Sequence, residues 1–151
     1  MKKFLVFVLI LACFCSVALF KTESNPLFSC KNVEKVCFIS SNEIEEAQSV
    51  KCGDKVFNYC TLQQANEMMS DLKSELDGIE FYIKDITFER LCEILKAEVV
   101  SQSKIGELNV FCCYTPYQQN CVVINGKKIN VQIAVYEDMV LAGFPMLLTG
   151  F

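Results

Sequence analysis

The apolar N-terminus constrains this chain most, because it decides which residues are left to fold. Two lysines are followed by an almost wholly apolar run from Phe4 to Phe20. A basic start, an apolar stretch and small residues at Ser16 and Ala18 are typical of a secretory signal peptide. We therefore predict that residues 1–18 are a signal peptide and that the rest of the chain is extracytoplasmic, either secreted or associated with the cell envelope.

Two alternatives to cleavage remain open for this segment. The run from Phe4 to Phe20 contains 17 residues, which is the lower limit for crossing a bilayer, and an uncleaved anchor is the first alternative. A lipid anchor on Cys13 is the second. In each case, membrane contact is expected only through the N-terminal segment.

Charge and composition exclude several classes of function. Loss of Lys2 and Lys3 leaves 12 basic side chains against 18 acidic ones, a net charge of −6. Phosphate backbones need a basic surface, so we predict no nucleic-acid partner. The chain has no histidine, which excludes Ser-His-Asp triads, Cys-His dyads and the HExxH zinc site.

Cysteine content points to disulfides. Eight cysteines follow the predicted cleavage site, and an even number in an exported chain favours pairing. The disulfide candidates are Cys30, Cys37, Cys52, Cys60, Cys92, Cys112, Cys113 and Cys121. The local candidate pairs are Cys30–Cys37 and Cys52–Cys60, while Cys92 and Cys121 are candidates to bridge one member each of Cys112–Cys113. Reduced core thiols are the alternative. Because Cys-x-x-Cys is absent, we predict no metal and no cofactor.

Hydrophobic periodicity predicts two helices. Thr61 and Gln64 form a capping box, and apolar residues then recur at helical spacing until Gly78, which is predicted to end the helix. A second helix has its apolar side between Phe88 and Leu95 and is capped by Asp85 or Thr87.

Alternating residues predict several strands. Gly53-Asp54 and Asn125-Gly126 each predict a tight hairpin. Residues 79–83 and 108–114 alternate as half-buried strands. The last strand is expected over residues 139–148, and Pro145 within it indicates an edge or a bulge.

These elements predict an α+β fold, a curved antiparallel sheet with both helices packed on one face. The other face is then left to water or to a ligand. We predict an extended leader and first strand over residues 19–48 and a single domain over residues 49–151.

Several short segments form a recognisable order. They are Leu108–Tyr114, the Tyr114-Thr115-Pro116-Tyr117 loop, the stretch Asn125 to Ala134, and Gly143-Phe144-Pro145. This order resembles the C-terminal part of the YwmB-type family of bacterial exported proteins, which have a TATA-box-binding-protein-like fold. The likeness covers about residues 60–151 of this chain. It implies a curved sheet with helices on its convex side and a cell-envelope context, and it assigns no catalytic residue.

These observations favour an exported cell-envelope protein that is not an enzyme, a binding or structural domain that uses the open sheet face. Candidate binding residues are Tyr114, Tyr117 and Phe111, and the partner is an unknown envelope component or protein. One alternative is a secreted, disulfide-stapled effector or inhibitor that adds its C-terminal edge strand to a partner's sheet. A thiol-dependent enzyme is the other.

We expect the natively exported protein to lack residues 1–18, because the signal segment is removed on export. Intact mass before and after reduction and alkylation measures cleavage, lipidation and disulfide count together. A full-length chain with all ten cysteines alkylated without reduction would contradict both the location and the disulfide prediction.

Overall fold

The structure is a computed structural model that describes residues 24–72 and 74–149, so the predicted signal segment lies outside the described residues. Its strands are β1 (Val33–Ser40), β2 (Gln48–Cys52), β3 (Lys55–Cys60), β4 (Gly78–Lys84), β5 (Glu98–Ile105), β6 (Leu108–Tyr114), β7 (Val122–Ile124), β8 (Lys127–Ile129), β9 (Val131–Val135) and β10 (Met139–Phe144). Its helices are α1 (Leu62–Leu72), α2 (Phe88–Leu95) and a 3-10 helix at Pro26–Ser29.

Eight strands form one sheet in the order β2-β3-β1-β4-β10-β9-β6-β5, and each neighbouring pair is antiparallel. Strands β7 and β8 form a separate hairpin. Ala65 of α1 and Leu91 of α2 belong to the same buried cluster as Phe38, Phe81 and Ile133 of the sheet. Both helices therefore cover one face, and the predicted α+β class is confirmed.

The capping box of the first helix is confirmed. The Thr61 backbone N–H donates to Gln64 Oε1 at 2.9 Å, and the Gln64 N–H donates to Thr61 Oγ1 at 3.3 Å. The predicted end of the helix at Gly78 is wrong. Helix α1 ends at Leu72, and by Asp77 the backbone already donates to Ile39 of β1 at 2.8 Å. Pairing with the sheet has stopped the helix before the glycine.

Two further local signals are confirmed, the N-cap of α2 and the turn at Asn125-Gly126. Of the two caps considered for α2, the structure uses Thr87, whose hydroxyl accepts from the Arg90 N–H. Asn125 and Gly126 have φ of 51° and 77°, and they form the β7–β8 turn as predicted. The hairpin then breaks at Asn130, a buried residue whose side chain bonds to other parts of the chain.

Within residues 24–48, the predicted first strand is present as β1, and part of the predicted leader is a 3-10 helix. Strand β1 lies between β3 and β4 in the sheet, and Leu27 of the 3-10 helix is fully buried against the main core. This segment is therefore a central part of the fold, because its apolar side chains pack on both faces of the sheet.

The last strand is not an edge strand. Strand β10 lies between β4 and β9, and the two edges are β2 and β5. The strand ends at Phe144, so Pro145 stands after the ladder and removes no hydrogen bond from it. The prediction of a C-terminal edge strand is wrong. Because both sides of β10 are already paired, this strand has no free edge to add to a partner's sheet. Within residues 24–72 and 74–149, neither helix has the length and apolarity needed to cross a membrane.

We expect Asn58→Ala to lower the free energy of unfolding by about 2–4 kcal/mol, because it leaves several buried polar groups without a hydrogen-bond partner. Asn58 is fully buried, its Oδ1 accepts from the Ile44 N–H and Ser49 Oγ, and its amide donates to the Phe38 carbonyl. Urea unfolding measures the change, and the exposed Asn120→Ala is the control. Equal losses in the two variants would contradict this role.

Candidate functional site on the open sheet face

The sheet face that carries no helix, called the open face, presents side chains in rows across neighbouring strands. One row is apolar: Tyr82 pairs with Leu141, Leu141 with Ala134, and Ala134 with Val110. A parallel row, called the polar row, consists of Tyr59, Cys37, Glu80, Gly143, Gln132 and Cys112. Antiparallel register thus places chemistry-bearing groups from six strands in one line.

After β10 the chain folds back over the centre of this face. Residues 145–149, called the strap, follow a cis Phe144–Pro145 bond and lie across the polar row at Gly143. A Cβ atom at Gly143 would lie 2.7 Å from the Leu147 nitrogen, so the glycine makes room for the strap backbone. Leu147 is buried against the apolar row. The centre of the open face is therefore covered by the chain itself.

The Glu80 carboxylate is the main polar attachment of the strap. Glu80 is fully buried, and its Oε1 accepts from the Leu148 and Thr149 N–H groups at 2.6 and 2.9 Å. Its Oε2 accepts from the Thr149 hydroxyl, and Gln132 Oε1 accepts from the Leu147 N–H at 3.2 Å. Burying a carboxylate is costly unless donors replace water, and the strap supplies three.

Beside Glu80 two tyrosines share a lysine. Lys35 Nζ lies 4.2 Å from the ring centre of Tyr82 and 4.7 Å from that of Tyr59, a cation–π arrangement. Burial raises the pKa of Tyr82 well above its usual value, and a hydrogen bond with Thr149 opposes the rise. Burial, followed by the neighbouring Cys37, also raises the pKa of Tyr59. Both phenols are therefore neutral near pH 7.

The buried thiols are held in the protonated form. Burial, followed by the charge of Glu80, raises the pKa of Cys37 to about 12. Burial likewise raises the pKa of Cys60 to about 11 and that of Cys113 to about 12. Because the thiolate is the nucleophile, these three cysteines are poor catalysts at neutral pH.

An open cleft lies where the open face meets the start of α1. Its volume is about 570 Å³, and its wall combines an aromatic ring, charges of both signs and side-chain amides. The lining residues are Glu34, Lys35, Glu46, Gln48, Tyr59, Cys60, Thr61 and Gln64. The cleft therefore continues from the end of the polar row at Tyr59.

The three predicted binding residues do not form one surface. Phe111 lies on the helix-covered face, where its ring stacks on Phe88 of α2 at 3.9 Å, so its assignment to the open face is wrong. Tyr117 lies in the loop after β6 with Lys96 Nζ 5.4 Å from its ring centre. Tyr114, at the end of β6, is 39% exposed. Alternation along β6 did not reveal which side would meet the helices.

The predicted disulfides are not formed. Cys30, Cys37, Cys52, Cys60, Cys92, Cys112, Cys113 and Cys121 are all free thiols. In the local pairs, Cys30 packs on the helix-covered core whereas Cys37 lies on the open face. Cys52 and Cys60 lie at opposite ends of the β2–β3 hairpin. Five residues of strand separate them by about 17 Å, far beyond the reach of a disulfide.

The adjacent pair Cys112–Cys113 divides between the two faces, as a strand requires. Cys113 is fully buried in the helix-covered core, where Cys92 also packs. Cys112 lies on the open face, 3.6 Å from the Gln132 amide nitrogen. Cys121 is exposed just before β7. Cys92 and Cys113 therefore share the helix-covered core without forming a bond, and Cys112 and Cys121 are also free thiols.

Sequence reasoning missed Glu80 and Gln132 as functional positions. Both residues stand on the polar side of an alternating strand, which is typical of solvent-facing positions. The one available signal was Gly143, an unexplained glycine in a strand, because such a glycine often marks the close approach of another backbone.

The chain matches no protein-family model, and comparison with curated proteins and with solved structures also gave no match. In the described part of the chain, His, Cys, Asp and Glu side chains form no group of three or more that could hold a metal ion.

We expect the free energy of unfolding to fall as pH rises above about 9, where unfolded thiols lose their protons and the buried ones keep theirs. Each retained proton contributes a slope of up to about 1.4 kcal/mol per pH unit. Urea unfolding under reductant from about pH 8 to 10.5 measures the slope. Cys113→Ala should make it shallower, and the exposed Cys52→Ala should not; identical slopes in all three proteins would contradict the assignment.

Proposed function

We propose that this protein is an extracytoplasmic, non-catalytic binding domain of the cell envelope that recognises its ligand through the open sheet face. The observation that carries this proposal is the cleft at the end of the polar row, where Tyr59, Lys35 and Gln48 meet. The apolar N-terminal segment supports the location, and the family resemblance is consistent with it.

The chemistry of the cleft favours a polar, hydroxyl-rich ligand such as an envelope glycan. Gln48 and Glu46 contribute an amide and a carboxylate, which are suited to hydroxyl groups, and Tyr59 contributes part of an aromatic ring. Lys35 is the one basic residue among the lining residues, beside the carboxylates of Glu34 and Glu46, so the wall does not favour a strongly anionic ligand.

The two alternative functions receive less support. A thiol-dependent enzyme needs a thiolate, and the pKa values of Cys37, Cys60 and Cys113 are raised by burial. A disulfide-stapled effector is motivated by paired cysteines, and the described cysteines are free. Binding through the open face requires neither feature.

We expect chitotriose, used as a probe of glycan binding, to bind the mature protein and to bind Gln48→Ala at least tenfold more weakly. Isothermal titration calorimetry measures both affinities. The control is Gln102→Ala, which removes an exposed glutamine from the opposite edge strand, β5. Absence of chitotriose binding, or equal affinity for all three proteins, would contradict glycan recognition in the cleft.

A further inference from the structure

The gap at Gly143 is built like a site for a short, bent peptide segment. Glu80 on β4 and Gln132 on β9 flank this glycine in register, and their side-chain oxygens accept three successive backbone N–H groups. These acceptors and the missing Cβ form a notch, defined here as Glu80, Gly143 and Gln132. Two successive N–H groups that point at one oxygen require a bent backbone, and backbone amides are common to all sequences. The notch therefore recognises this backbone conformation in addition to any side chain.

Two side chains of the strap add selectivity. Leu147 is only 8% exposed and packs on Val110, Ala134 and Leu141, whereas Leu148 is 45% exposed. The Thr149 hydroxyl donates to Glu80. The first position therefore selects a leucine-like side chain, the second is open, and the third selects a hydroxyl group.

We propose that the notch is a peptide-binding site for segments of the form Leu-x-Thr or Leu-x-Ser, that the strap fills it in cis, and that such a segment of a partner protein replaces the strap. This inference rests on the proposed use of the open face for binding, and it adds a second ligand class to that face.

Replacement is feasible because a partner segment brings the same backbone N–H groups, leucine side chain and hydroxyl group that are lost when the strap leaves. The hydrogen bonds that attach the strap go to three neighbouring side chains, Glu80, Gln132 and Tyr82, and its buried apolar contact comes from Leu147. An incoming Leu-x-Thr segment satisfies each of these groups one for one. The buried carboxylate thus has the same set of donors before and after the exchange.

The test uses the full mature chain and a fluorescein-labelled peptide, acetyl-Pro-Met-Leu-Leu-Thr-amide, followed by fluorescence anisotropy. The double variant Leu147→Ser/Thr149→Ala weakens the strap and leaves the notch intact. We expect it to bind the peptide at least tenfold more tightly than the unmodified protein, because the competing cis segment is weakened. The control peptide, acetyl-Pro-Met-Asp-Leu-Ala-amide, should bind neither protein.

A third substitution assigns the binding to the notch. Added to the double variant, Gln132→Ala should weaken peptide binding at least tenfold, and Glu80→Gln should weaken it further; circular dichroism checks that each variant is folded. If the Glu80→Gln variant does not fold, the Gln132→Ala variant alone decides. Equal peptide affinity of the double variant and the unmodified protein, equal binding of the control peptide, or no effect of Gln132→Ala would overturn the proposal.

Failure here is distinguishable from failure of the proposed function. The chitotriose measurement depends on Gln48 in the cleft, and the peptide measurement depends on Gln132 in the notch. Chitotriose binding without peptide binding overturns the notch alone, and peptide binding without chitotriose binding overturns the glycan cleft alone.

Discussion

The rest of the open face depends on one buried carboxylate. Glu80 stands on β4 near the middle of the eight-stranded sheet, and it has no exposure to water. A carboxylate in such a place is tolerated only when hydrogen-bond donors replace its lost solvent. The strap supplies them from Leu148 and Thr149, so the residue and the segment stabilise each other. Removing Glu80 leaves the Leu148 and Thr149 N–H groups without their acceptor, and removing the strap leaves the carboxylate without these donors.

The same contact gives a physical meaning to several residues of the neighbouring strands. Gln132 and Gly143 belong to the notch, Ala134 lies under Leu147, and Asn130 fixes the start of β9 through its bonds to Thr115. Gln132, Gly143 and Ala134 thus belong to one structural unit, the contact between the sheet and the strap, called the clasp. The glutamine accepts a backbone N–H group of the strap, the alanine leaves space for the Leu147 side chain, and the glycine leaves space for the strap backbone.

Local chemistry made much of the fold predictable, whereas contacts between distant segments did not follow from it. The Thr61 capping box and the Asn125-Gly126 turn need only neighbouring residues, and both predictions were correct. The central position of β10 depends on strand order, which a single strand's pattern does not encode. Glu80 looked like a solvent-facing residue, because alternation separates two faces without showing that a segment 68 residues further on covers one of them.

Hydrogen exchange of the strap amides tests the central claim most directly. The account predicts that the Leu148 and Thr149 amides are strongly protected in the unmodified protein and that Glu80→Gln reduces their protection while the β4 and β10 amides remain protected. Exchange of the two strap amides at the rate of an unstructured peptide in the unmodified protein would contradict the clasp.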